Sequence, residues 1–273
     1  MVETWHCAFR STFRLLPRSE QSLQLGVFLS SDGQAPEAIL TKLPYASERA
    51  ETPGELPDPK RYRDGRQLLR TVGLVYEDSD GRLRVTELGR ALLRWLPHLT
   101  KENAPVLGRH AALALAACQL RNPTGEGKRY ANEVVVFPFR TIWQIMLTLG
   151  GRIYSDELNR AVFKITREDQ VGAAIETIRQ ARSSGDVSKM GPETVEGSAK
   201  NDRILVWMAW ASFGWLLIRD KSESTDGSYT VNPKCRQLLY EISRIRHRHR
   251  DFSNEIAYVK YLAQCAAIPP DVR

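Results

Sequence analysis

Gly73-Leu74-Val75-Tyr76, Asp80-Gly81 and Leu83-Arg84-Val85-Thr86-Glu87-Leu88-Gly89-Arg90-Ala91-Leu92-Leu93 form the stretch whose reading decides the fold. Two short apolar runs flank an Asp-Gly pair, and glycine takes the positive φ of a tight turn, so a β-hairpin is expected. Thr86 then stands where a helix N-cap belongs. The same pattern returns as Gly214-Trp215-Leu216-Leu217-Ile218, Asp226-Gly227 and Tyr229-Thr230-Val231-Asn232-Pro233-Lys234-Cys235-Arg236-Gln237-Leu238-Leu239. The two copies align without a gap from Gly81 and Gly227 to the Leu-Leu pairs. In the second, Asn232 is the cap and Pro233 fills the first helical position, where a missing N–H costs nothing. A helix feeding directly into such a hairpin is the closing half of a winged-helix unit. The expected fold is therefore mainly α with small β-hairpins, an α+β class, in tandem winged-helix domains.

The 273 residues are enough for two domains with a core each, and 42% hydrophobic and 26% charged residues are ordinary for a globular protein. No run of about eighteen apolar residues exists, so no membrane contact is expected. The N-terminus lacks a basic-then-apolar leader, which points to a cytoplasmic protein. Cys7, Cys118, Cys235 and Cys265 are scattered without a Cys-x-x-Cys pair, against a zinc site or a disulfide framework. A net charge of +7 favours a polyanionic partner.

The pattern divides the chain into residues 1–120, an N-terminal arm and first winged-helix domain; 121–133, a linker; 134–245, a second winged-helix domain with a mobile insertion at 183–200; and 246–273, a C-terminal helical tail. The arm carries Trp5, Phe9 and Phe13 and is expected to pack on the first domain. In the first unit Lys60 to Val72 reads as the helix entering the hairpin. In the second, Asp202 to Phe213 takes that place. Tyr240 to Ala267 reads as one or two helices.

In winged-helix proteins the helix before the hairpin usually enters the major groove, and the hairpin touches flanking backbone or minor groove. That helix carries Lys60, Arg61, Arg63, Arg66, Gln67 and Arg70, with Arg63, Arg66, Gln67 and Arg70 on one face and Leu68, Leu69 and Val72 left for the core. Arginine matches guanine edges and phosphates, and glutamine matches adenine. Arg82 and Arg84 lie on the hairpin. The second unit's equivalent helix is apolar nearly all round, as a buried helix is; either this unit contacts DNA through another element, Asn159, Arg160 and Lys164, or it is a packing module whose aromatic face meets a partner. Arg246, Arg248 and Arg250, with His247 and His249 between them, form the densest positive run, either a phosphate clamp or a solvated face.

Catalytic signatures are poor. Gly125-Glu126-Gly127-Lys128-Arg129 resembles a phosphate loop, but position 122 is Asn rather than Gly and position 129 is Arg rather than Ser or Thr. Asp58-Pro59-Lys60 and Glu126-Gly127-Lys128 have the letters of a nuclease (D/E)-x-Lys motif, yet both fall in loops. No catalytic residue, metal ligand or cofactor is expected.

Arg63-Asp64-Gly65-Arg66-Gln67-Leu68-Leu69-Arg70-Thr71-Val72-Gly73-Leu74-Val75 with Val85-Thr86-Glu87-Leu88-Gly89-Arg90, and Phe137-Pro138-Phe139-Arg140 followed by Gly151-Arg152-Ile153-Tyr154-Ser155-Asp156-Glu157-Leu158-Asn159, resemble the DNA-recognition portion of FokI-like and AlwI-like restriction endonucleases. The resemblance spans residues 20–245. It implies a non-catalytic module that recognises double-stranded DNA in a bacterial restriction or defence system, with a nuclease supplied by a partner or a further domain. The alternatives are a protein-interaction scaffold docking through the tail, a plasmid replication initiator or transcription regulator, and a cryptic Mg-dependent nuclease.

Overall fold

A computed structural model describes residues 4–5, 20–43, 59–194, 198–220 and 227–268. In chain order the helices and strands are α1 (Glu20–Leu29), α2 (Pro36–Leu40), α3 (Pro59–Thr71), β1 (Val75–Glu77), β2 (Leu83–Val85), α4 (Glu87–Trp95), α5 (Ala104–Leu107) and α6 (Arg109–Ala117). They continue as α7 (Pro138–Thr148), β3 (Arg152–Tyr154), α8 (Ser155–Arg160), α9 (Val171–Ser184), α10 (Ser198–Ala211), β4 (Leu217–Asp220), β5 (Ser228–Val231), α11 (Arg236–Ser243) and α12 (Glu255–Cys265). The protein is mostly helical with two small antiparallel sheets, the α+β class expected from the sequence.

Both hairpins form. β1 pairs with β2 with Tyr76 opposite Arg84, and Gly81 holds φ +72° in the turn. The Thr86 side chain accepts from Gly89 N at 3.1 Å, so the predicted cap is in place. In the second hairpin Ile218 lies opposite Thr230, and Asn232 accepts from Lys234 N at 3.1 Å; Asp226 lies outside the described residues.

The likeness of the two units runs deeper than the repeat. In the second, β3 adds to the hairpin in the order β3-β5-β4. In the first, Gly33 N donates to Leu83 O at 2.7 Å and Leu83 N to Gln34 O at 3.0 Å, so residues 33–34 take the place that β3 takes in the second. Each unit thus runs helix, short extended segment, helix, helix, hairpin, helix. The second carries α9 as an addition.

The core is continuous across both units. α10 is buried through Ile204, Val206, Trp207, Met208 and Trp210, as its all-round apolar sequence requires. Cys118 and Cys235 are buried thiols, and burial pushes Cys235 up to about 11. Among the described residues no helix is long and apolar enough to cross a membrane.

Four segments depart from expectation. Trp5 packs on the second unit rather than the first: its backbone N–H donates to Phe163 O at 2.9 Å, and its ring lies 5.4 Å from that of Trp207, while Phe9 and Phe13 lie outside the described residues. The expected linker is built into the core, because Asn122 and Thr124 are buried and Thr124 Oγ1 meets Thr71 Oγ1 of α3 at 2.9 Å. The expected insertion is partly helical, with α9 reaching Ser184 and residues 190–194 lying on α8.

The tail is the fourth. It is interrupted by a non-helical strap at 245–252 and returns to the first unit through α12. In a helix, Arg244 and Arg248, and Arg246 and Arg250, would stand one turn apart as like charges, which disfavours helix there. Asn254 restarts it, accepting from Ala257 N at 2.9 Å. Tyr258, Val259 and Leu262 of α12 are buried, and the Tyr258 hydroxyl donates to Thr71 O at 3.3 Å.

Gly73 marks where α12 closes on the first hairpin. Its φ is +81°, and a Cβ there would stand 2.6 Å from Leu262 Cβ. Gly73→Ala combines left-handed strain with overpacking and is expected to destabilise the protein by about 2 to 4 kcal/mol. Chemical denaturation checks this; a midpoint equal to that of the unaltered protein refutes the packing described.

Candidate nucleic-acid interface

α3 leads into the first hairpin as predicted, but its basic face is not open. Tyr62, Leu68, Leu69 and Val72 fill the core. Arg66 forms an ion pair with Glu77 at the end of β1. Arg70 pairs with Glu77 at 3.1 Å and, through Nε and Nη2, with both carboxylate oxygens of Glu255 in the first turn of α12. The two arginine side chains keep 22% and 20% of their exposure. Burial pulls the Arg70 pKa below the ordinary guanidinium value, and the carboxylate of Glu77 opposes that shift. Arg66 and Arg70 thus belong, with Glu77 and Glu255, to a four-membered charge cluster of net charge zero.

Arg63 is open, with 61% of its side chain exposed and Asp64 at 3.5 Å. Gln67 is half-buried beneath Gly125, where an added Cβ would overlap its amide. The side chains of Lys60 and Arg61 lie outside the described residues. On the hairpin, Arg84 is held by Asp78 at 2.7 Å, while Arg82 is exposed and donates to Gly33 O at 3.3 Å.

The strap alternates. Arg246, Arg248 and Arg250 face solvent, while His247 and His249 turn inward against the Phe137 ring at 5.8 and 6.5 Å. It is fastened at both ends. Arg140, itself buried, donates to Ile245 O at 2.8 Å and pairs with Glu168 at 2.5 Å. At the other end the Gln119 amide brackets Arg250, donating to its carbonyl at 2.9 Å and accepting from its N–H at 2.7 Å. One side of the strap walls an open groove of about 1110 Å³ lined also by Gln144, Tyr240 and Arg244. Beyond the strap Arg250, Arg121 and Lys128 share a smaller cleft of about 190 Å³. The loop from Arg121 to Arg129 therefore joins the α3 face to the strap in one edge, on which Arg121 is paired with Asp251 at 2.7 Å.

Asn159, Arg160 and Lys164 are engaged within the fold. Asn159 is buried, and its side-chain oxygen and carbonyl accept from the Thr194 hydroxyl. Arg160 donates to Gly191 O at 2.7 Å and pairs with Glu193 at 2.9 Å; Lys164 donates to Pro192 O at 2.7 Å. All three hold residues 190–194 onto α8.

The residues that sequence reasoning missed are the carboxylates Glu77 and Glu255 and the anchors Gln119 and Arg140. Only Glu255 carried a local signal, as the first residue after the Asn254 cap. Among the described residues no cluster of His, Cys, Asp and Glu converges as metal ligands do.

Fold and edge define a class: an α+β protein of two repeated helix-and-hairpin units with arginines aligned along one edge. No protein-family model matches the chain, and no curated protein matches it. Among solved structures it is similar to the BpuJ1 endonuclease binding domain, crystallised in complex with pyrene- and phenanthrene-modified DNA. The two align with a TM-score of 0.61 at 12% identity over 97% of this chain and 98% of that one. At that identity the likeness is one of fold.

His247 gives the edge a pH dependence. Burial, with Arg140 and Arg250 nearby, pushes its pKa down to about 4. An unfolded histidine titrates near about 6.5. Between these values the unfolded chain takes up a proton that the folded chain refuses, so the contribution is complete above the upper value and is lost as pH falls through the window. Urea unfolding followed from pH 7 to 4 should show that decline, and His247→Asn should flatten it; an unchanged slope in the variant refutes the assignment.

Proposed function

We propose that this protein is a sequence-specific double-stranded DNA-binding module built of two winged-helix units. The reading includes a bacterial restriction or defence system as its setting, with the nuclease held by a partner subunit or a further domain. The observation that carries it is the strap, which turns Arg246, Arg248 and Arg250 outward beside a groove and is anchored from within by Arg140 and Gln119. An anchored row of arginines offers phosphate contacts at little ordering cost. The fold likeness to a binding domain crystallised on DNA supports the same reading, as does the net charge of +7.

Within this proposal the work is divided. The strap contacts phosphates, while Arg63 and the partly exposed Arg66, Gln67 and Arg70 of α3 supply contacts to base edges, with Arg82 on the hairpin beside the flanking backbone.

Selection from a randomised duplex library tests the reading: enrichment of one short motif is expected, and no enrichment overturns it. The division of labour has its own test. Arg246→Ala with Arg248→Ala should weaken binding to the selected and random duplexes equally and make the dependence of log K on log salt shallower by about 2. A loss confined to the selected sequence would instead place these arginines on base edges.

A further inference from the structure

The charge cluster on α3 does more than fix a helix. Two arginines that the proposed function needs at the DNA face two carboxylates from elsewhere in the fold. Glu77 is local, on the wing that follows α3. Glu255 is not: it arrives from the far end of the chain and sits at the start of a helix whose Tyr258, Val259 and Leu262 are fully buried. The Asn254 cap and this packing fix the Glu255 backbone, and Glu255 itself engages both the Nε and Nη2 edges of the guanidinium. A backbone phosphate presents the same acceptor geometry to arginine as a carboxylate does. Glu255 therefore occupies the guanidinium edge that a phosphate would take.

We propose that Glu255 is a specificity-determining positioning residue: by pairing with Arg70 it offsets the attraction of the α3 face for any phosphate backbone while holding the guanidinium in a set orientation. The inference rests on the DNA-binding reading. A passing phosphate has to displace a carboxylate already in place and gains little by the exchange. Of the five guanidinium N–H groups of Arg70 three go to Glu255 and Glu77, and a correctly placed guanine edge offers two acceptors to the one left on Nη1 and the one left on Nη2, without that displacement. Glu77, shared by Arg66 and Arg70, keeps the pair together.

The test compares the full chain with Glu255→Gln, which preserves size and removes the charge. Binding to a random duplex and to the motif selected by the unaltered protein is titrated across a salt series. The variant should bind the random duplex about tenfold more tightly, with a log–log salt slope steeper by about 1, as one further phosphate contact requires. It should discriminate about tenfold less between motif and random sequence. Glu255→Asp, which keeps the charge, should behave nearly as the unaltered protein. Arg70→Gln combined with Glu255→Gln should lose the gain, because the gain acts through Arg70. Thermal unfolding of each variant shows that a folded protein was measured, and since α12 is held by Tyr258 and Leu262 the fold should survive.

Unchanged affinity and slope in Glu255→Gln, with duplex binding intact in the unaltered protein, overturn this inference and leave the DNA-binding reading standing. A gain that persists when Arg70 is also replaced overturns it too. Duplex binding by neither the unaltered protein nor the variant overturns both.

Discussion

The pairing of Arg70 with Glu255 is the constraint on which the rest of the arrangement depends, because it joins the last turn of α3 to the first turn of α12 across 185 residues of sequence. Without Glu255, Arg70 would keep its contact with Glu77 and α12 its buried Tyr258, Val259 and Leu262, so what the pair sets is the orientation of the guanidinium. With Glu77 between the two arginines, the first hairpin, the helix before it and the C-terminal helix become one electrostatic unit. Tyr258 reinforces it from the apolar side, its hydroxyl reaching Thr71 O and accepting from Gln119 N at 3.2 Å. Gln119 in turn brackets Arg250 of the strap. The ion pair, the buried tyrosine and the strap are thus successive links of one chain of contacts.

How much of this was legible in the sequence follows from the range of the forces involved. Hairpins and caps are local: Asp80-Gly81 and Thr86 carry their own turn and cap chemistry, and both form as read. The burial of α10 was equally readable, since from Ile204 onward Val206, Trp207, Met208 and Trp210 surround the helix with apolar groups. The partners of the arginines were not readable. Periodicity places Arg66 and Arg70 on one face of α3, but whether that face meets water or carboxylate depends on where α12 returns, and nothing within a few residues of α3 encodes that. The same holds for Asn159, Arg160 and Lys164, which answer to Gly191, Glu193 and Thr194. Charge in a sequence marks where a counter-ion is needed, and the fold decides whether protein or solvent supplies it.

The strap shows a local signal overridden by a simpler one. Its flanks have helical composition, and α11 and α12 are helices, yet the stretch between them leaves the helix because arginines at every second position would stack like charges at helical spacing. Outside a helix the same alternation becomes useful, since it sorts the side chains into an outer row of arginines and an inner pair of histidines against Phe137. The inner pair must remain uncharged to stay there: His247 already faces two guanidinium groups, and burial penalises its protonation further.

Two kinds of arginine therefore coexist on one edge, and their physics differs. Those of the strap are neutralised by mobile counter-ions, whose release on meeting a polyanion drives association with any duplex and weakens as salt rises. Those of α3 are neutralised by fixed carboxylates, which release nothing and can only be exchanged for another acceptor. The first kind gives attraction without selection. The second adds little attraction and makes the outcome depend on the geometry of the acceptor offered. A surface of the first kind alone would adhere to all duplex DNA, and one of the second alone would seldom meet its site in competition with water. Under the proposed reading the fold sets them side by side: α12 carries the carboxylate that restrains α3, and the strap leading into that same helix carries the arginines left unrestrained.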